Sequence, residues 1–200
     1  MTSGNKPVLG IIGGSGLYSL LTNSQSLEIK TPFSSIPITL QKEEFDDIII
    51  YFLPRHGEKH SIPPHAVNYK ANIYSLFKVG CQGVLSTNAV GSLHENIGPG
   101  SYVIIDQFID FVRPITFFNG DFSVILPSGR KLEGVVHTDM STPYDETLRQ
   151  VLINAAEKKS DKVFLLAASS AALAIISNIF RSSTPSPQKV KEIWFWCIRK

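Results

Sequence analysis

GIIGGSGLYS, residues 10–19, is the stretch on which the reading of this sequence turns. Just before it and into it, Val8 to Ile12 form an apolar run; Gly13, Gly14, Ser15 and Gly16 then break it. A short apolar run bounded by glycines reads as a strand buried on both faces, ending in a turn where the backbone can approach a ligand closely. Two familiar glycine patterns do not fit. A dinucleotide turn needs Gly-x-Gly-x-x-Gly, and after Gly14 and Gly16 the third position is Ser19. No Gly-Lys-Ser/Thr follows, so this is not a nucleoside triphosphate loop. What remains is a turn of N–H groups with a hydroxyl at Ser15, a nest suited to a small anion. A tight turn with no ligand explains the same glycines, so other segments must decide.

Three further runs resemble the first: DIIIYFL (47–53), GVLST (83–87) and SYVIIDQF (101–108). ITLQ (38–41) alternates and reads as an edge strand. NYKANIYSLFKVG (68–80) carries Ile73, Leu76 and Phe77 at helical spacing, with Gly80 as a C-terminal stop. A second helix is expected to start near Thr142, with Thr142 and Asp145 as a capping box and Pro143 at its first position. Leu148, Val151, Leu152 and Ala155 would form its apolar face. Strands alternating with helices make this an α/β fold: a central mixed, mostly parallel sheet flanked by helices.

The strand ends carry the chemistry. LPRHGEKH (53–60) closes the second run, so Arg55 and His56 emerge where open α/β sheets bind ligands. An arginine offers a planar fork of donors matched to phosphate. His56 and His60 add donors and proton carriers near neutral pH. STNAVGSL (86–93) again ends a strand in small polar residues: Thr87, Asn88 and Ser92 can donate, and Ala89 to Gly91 allow close backbone approach. Solvated side chains and a plain turn account for each segment taken alone. One anion pocket accounts for all three. His56, His60 and His65 have no accompanying carboxylate pattern, so no metal site is expected.

The bulk numbers fit an ordinary globular chain: 200 residues, 43% apolar, 18% charged, formal charge +2. No Lys/Arg block suggests nucleic acid. Cys81 and Cys197 build neither a disulfide framework nor a zinc spacing, and a reducing, intracellular setting is expected. The first residues lack the apolar core of a signal peptide. From Ser160 the texture changes. VFLLAASSAALAIISNIF (163–180) is eighteen residues without a charge. Its length just reaches that of a membrane span, but its serines, asparagine and alanines favour a buried segment over an anchor. The end, RSSTPSPQKVKEIWFWCIRK, shows no period that continues the earlier pattern. The expected division is residues 1–159 as one domain and 160–200 as a divergent tail.

GIIGGSGLY, RHGEKHSIPPHAVNYKANIYSL, STNAVGSL, PGSYVIIDQFIDF and RPITFFNG, taken in order, resemble the S-methyl-5'-thioadenosine phosphorylases of the trimeric purine nucleoside phosphorylase family. The likeness covers about residues 7–158. It implies a pentosyltransferase of purine and methionine salvage. In that reaction phosphate attacks C1' of methylthioadenosine and releases adenine and methylthioribose 1-phosphate. It also implies a purine nucleoside phosphorylase-like sheet, no cofactor beyond phosphate as co-substrate, a homotrimer, and a cytoplasmic, also nuclear, location. Residue by residue it implies phosphate binding at Ser15, Arg55, His56, Asn88 and Ala89. His137, in VVHTDMSTPY, would close the methylthio pocket of a neighbouring subunit. No catalytic nucleophile on the protein is expected. Family members continue beyond this length with the purine-binding segment. The resemblance therefore implies a phosphate half without its purine half, incomplete at the C-terminus, and makes activity of this chain doubtful. Alternatives are an inosine or guanosine phosphorylase, or a non-catalytic fragment that associates with full-length subunits.

Overall fold

The structure is a computed structural model, and it describes residues 6–14, 17–90, 92, 94–109, 115–117, 123–125, 129, 131–134, 137, 139–158, 163–166 and 193–198. Among these the elements are β1 (Val8–Gly13), β2 (Gln25–Thr31), β3 (Ser34–Glu44), β4 (Ile49–Pro54), α1 (Tyr69–Lys78), β5 (Gly83–Asn88), β6 (Tyr102–Ile105), β7 (Ser123–Ile125), β8 (Lys131–Glu133), α2 (Glu146–Glu157), β9 (Val163–Leu166) and β10 (Ile193–Ile198). One sheet runs in the order β2-β3-β4-β1-β5-β10-β6-β9, and β7 and β8 pair apart from it. The pairs β4–β1, β1–β5, β10–β6 and β6–β9 are parallel, while β2–β3, β3–β4 and β5–β10 are antiparallel. The sheet is thus mixed and mostly parallel, as the sequence implies. Strands β4, β1 and β5 share one direction; β10, β6 and β9 run against them.

Alternation along β1 shows why its run is unbroken. A side chain added at Gly10 would meet Leu76 of α1 at 3.1 Å and Cys81 Sγ at 3.3 Å. On that face Ile12, Ile29, Leu40, Leu53, Leu76 and Cys81 form one buried cluster. Leu9 points to the other face, where a side chain at Gly83 would run into Leu148 of α2 at 2.9 Å. With a helix over each face, both phases of the strand must be apolar or glycine. A second cluster, Val90, Ile97, Val103, Ile105 and Tyr144, fills the β6 side. α1 begins as expected: the Asn68 side chain accepts the Ala71 N–H at 3.0 Å. It stops at Gly80, whose φ is +82°.

Three expectations need correction. The 38–41 segment lies inside β3, which pairs with β2 on one side and β4 on the other. Its alternation therefore does not mark an edge; the edge on this side is β2, whose exposed QSLEIKT hides Ile29 alone. The second helix starts at Glu146, because Asp145 accepts the Leu148 N–H at 3.0 Å and caps it. Pro143 lies outside it. Its buried residue is Ile153, while Val151 is 59% exposed and Ala155 is also exposed. Docking beside Gly83 turns Leu148, Leu152 and Ile153 inward, one position off the face that apolarity alone suggests. Finally, the end of the chain does carry a strand, since IWFWCI is β10, seated between β5 and β6. An interior strand reads as a continuous apolar run, so its lack of period was no sign against it. Residues 167–180, most of the charge-free stretch, lie outside the described residues. Among the described residues no helix is long and apolar enough to cross a membrane.

Candidate functional site

Parallel pairing sets three strand ends side by side. Gly13 of β1 is level with Pro54 of β4, and Ile12 with Ser86 of β5. The residues that follow, Gly14, Arg55 and Thr87–Asn88, therefore emerge along one edge. The Arg55 N–H donates to Gly13 O at 2.9 Å, prolonging the ladder by one bond. The Arg55 side chain then reaches over β1, and its Nη1 donates to the Thr87 carbonyl oxygen at 2.8 Å. Nη2 lies 3.6 Å from where a Gly14 Cβ would stand.

The two glycines are needed for different reasons. A Cβ at Gly13 would sit 2.6 Å from the Phe52 ring, so Gly13 answers to packing. A Cβ at Gly14 would instead occupy space beside the guanidinium. Ser15, expected to supply a hydroxyl, lies outside the described residues, as does Gly16. Asn88 is half-buried and Ala89 exposed, and the buried Thr87 and Val90 pin this turn on both sides.

His56 is held in a closed loop. The Ile62 N–H donates to His56 O at 2.8 Å, and His56 Nδ1 lies 2.9 Å from Ile62 O. A carbonyl only accepts, so Nδ1 carries the proton. The loop bends at Gly57, φ +74°, where a Cβ would collide with Ser61 Oγ at 2.9 Å. The ring of His60 lies 4.8 Å from that of His56, tilted by 48°. His137, between β8 and α2, is exposed, and no hydrogen bond or ion pair among the described residues ties it to this edge.

The electrostatics are one-sided. Arg55 is half-buried, and burial pulls its guanidinium below the ordinary arginine value, with the Tyr69 and Tyr18 phenols working against the shift. Among the described residues no carboxylate pairs with it. The Tyr18 hydroxyl is buried without a hydrogen-bond partner among the described residues, and burial raises its pKa. A desolvated cation with no acidic partner is costly unless an anion joins it. Neither the Thr87 carbonyl as the clamp on Arg55 nor Tyr18 stood out in the sequence. The first is backbone, which has no letter of its own, and the second reads as an ordinary aromatic after a glycine loop. An open cavity of about 340 Å³ borders Arg55, lined also by Thr39, Leu53, Glu58, Lys59 and Asn72 among others. Pro54 and Arg55 line it, and Gly14 and Thr87 do not. Among the described residues no group of three or more His, Cys, Asp or Glu could hold a metal ion.

The family model described as Phosphorylase superfamily matches residues 8–192. A probable 6-oxopurine nucleoside phosphorylase of Thermococcus kodakarensis is 44% identical over 156 residues, covering 76% of this chain and 56% of that protein. An S-methyl-5'-thioadenosine phosphorylase of Pyrococcus furiosus is 39% identical over 154 residues, covering 76% and 55%. A solved methylthioadenosine phosphorylase from Schistosoma mansoni, in complex with adenine, superposes with a TM-score of 0.66 at 37% identity, covering 81% of this chain and 64% of that one. The chain spans about half the length of the curated relatives it matches.

Proposed function

From the premise that the chain belongs to the phosphorylase superfamily, we propose that the ends of β1, β4 and β5 bind inorganic phosphate for phosphorolysis of a purine nucleoside, with S-methyl-5'-thioadenosine as the nucleoside. The observation that carries this is Arg55: a half-buried guanidinium held at a strand-end edge, beside a glycine, with no carboxylate partner among the described residues.

The chemistry needs orientation more than covalent help from the protein. A phosphate oxygen attacks C1', the C1'–N bond breaks, and its electron pair leaves with the purine. Arg55 has donors beyond the one given to Thr87, and these can fix two phosphate oxygens at once. The backbone at Gly14, Asn88 and Ala89 can approach the others. With Nδ1 donating to Ile62 O, His56 meets phosphate through Nε2. Through Nε2 a neutral ring accepts a hydrogen bond from dihydrogen phosphate, and an imidazolium donates one to the phosphate oxygen. Ser15 is proposed as a further phosphate ligand, and His137 as a lining residue toward the 5' substituent across a subunit interface of a homotrimer.

The 44% identical relative named for 6-oxopurine nucleosides favours inosine or guanosine as a second reading. Calorimetry of the full chain with inorganic phosphate tests the anion site. Release of adenine from methylthioadenosine, measured beside release of hypoxanthine from inosine, tests the reaction and separates the two nucleosides. No heat with phosphate at millimolar concentration overturns the site.

A further inference from the structure

His60 is where the 53–62 loop departs from ordinary backbone. Its φ is +54°, the left-handed region, where glycine carries no steric cost. The turn does not need a histidine. The hydrogen bond that closes it, His60 N–H to Gly57 O at 3.1 Å, is made by backbone and survives any side chain except proline. What the side chain does is lie against the His56 ring, 4.8 Å between centroids and tilted by 48°.

His56 is thereby fixed from two sides. Ile62 O holds Nδ1 at 2.9 Å, and the Ile62 N–H in turn holds the His56 carbonyl. A half-turn about χ2 would put Cδ2 where Nδ1 stands and Cε1 where Nε2 stands, and so break the Nδ1 bond and displace Nε2. The His60 ring stands beside the imidazole, 4.8 Å between centroids. Holding one tautomer matters because it decides which nitrogen can meet an anion and whether it accepts or donates.

We propose that His60 is a positioning residue: its ring locks the His56 imidazole in the orientation in which Nδ1 serves Ile62 and Nε2 serves the bound phosphate. This rests on the phosphate reading above for its second half only. Its first half, the ring lock, stands on the geometry of the loop.

The test uses the full chain with nitrogen-labelled histidine and three variants. His60→Gly and His60→Asn suit the left-handed backbone but remove the ring. His60→Phe keeps a flat ring in the same place. At about pH 8, where unperturbed imidazoles are neutral, nitrogen chemical shifts report which His56 nitrogen carries the proton. Wild type and His60→Phe should show Nδ1 protonated. His60→Gly and His60→Asn should show a mixture of the two tautomers, with a thermal midpoint no lower than wild type. Titration with inorganic phosphate should give an affinity about three- to tenfold weaker for the Gly and Asn variants, and within about twofold of wild type for Phe. An unchanged His56 tautomer in His60→Gly and His60→Asn overturns the ring lock. A mixed tautomer with unchanged phosphate affinity overturns the link to the anion. If wild type takes up no phosphate, the phosphate reading falls, and the tautomer comparison still decides the lock.

Discussion

The Arg55 guanidinium is fastened to the Thr87 carbonyl oxygen at 2.8 Å, although β1 lies between their strands. The side chain spans a whole strand to make that bond. One residue therefore joins three strand ends and leaves its remaining donors at the edge.

Replacing Arg55 should separate binding from stability. Arg55→Met removes a charge-assisted, two-point contact worth about 1.5–3 kcal/mol, so phosphate affinity should fall about ten- to a hundredfold. It also removes a desolvated charge, so the thermal midpoint without phosphate should hold or rise. Arg55→Lys keeps the charge but not the fork and should fall between. Calorimetry and thermal melts, each with and without phosphate, check this. A parallel loss of stability in Arg55→Met would mark the residue as chiefly structural.

The two glycines of the first turn should respond differently. Gly13→Ala places a methyl 2.6 Å from the Phe52 ring and should cost about 1–3 kcal/mol. Phe52→Leu in the same chain should recover part of that. Gly14→Ala meets Arg55 Nη2 at an ordinary 3.6 Å, so folding is spared while phosphate affinity drops. Denaturant midpoints and phosphate titrations of the three variants give the comparison.

Asp145, not Thr142, caps the second helix. Asp145→Ala should destabilise by about 1 kcal/mol and Thr142→Ala by a few tenths at most. Equal effects in chemical denaturation would return the helix start to Thr142.

Both tryptophans of the chain, Trp194 and Trp196, belong to β10, and the backbone of Trp194 is paired with Asn88. Phosphate bound at the 88–89 turn should therefore change tryptophan emission, and the change should be absent in Arg55→Met. A chain ending at residue 190 leaves one side of Val84–Asn88 and of Tyr102–Ile104 unpaired. At about 0.5–1.5 kcal/mol for each lost backbone bond, it should melt well below the full chain and bind a hydrophobic dye. Matching melting curves for the two chains would show that β10 contributes nothing to the sheet.

Most of the site edge was legible because buried parallel strands announce themselves. β1, β4 and β5 are each covered on both faces, so each reads as a run, and the residue after each run falls at the edge. The edge position of Arg55, His56, Asn88 and Ala89 follows from that alone, while their reading as phosphate ligands comes from the family resemblance. The rest depends on partners far away in sequence. Phe52 dictates Gly13, and Gly83 gives Leu148 its seat, yet neither pairing leaves a local pattern. The interior place of β3 depended on β2, whose polar letters hide a strand with a single buried residue. β10 was obscured for the opposite reason, since a run of bulky apolar residues fits a helix, a strand or a membrane segment equally well.

The place of β10 also sets an order of events during synthesis. β5 and β6 are translated roughly a hundred residues before β10, the strand that fills the one-strand gap between them. Until then two ladders of backbone donors and acceptors stand open at the middle of the sheet. Closing them requires a contact between segments roughly a hundred residues apart, the kind that slows folding. A nascent chain paused before β10 would present that gap to other strands, including those of its own neighbours on the same message.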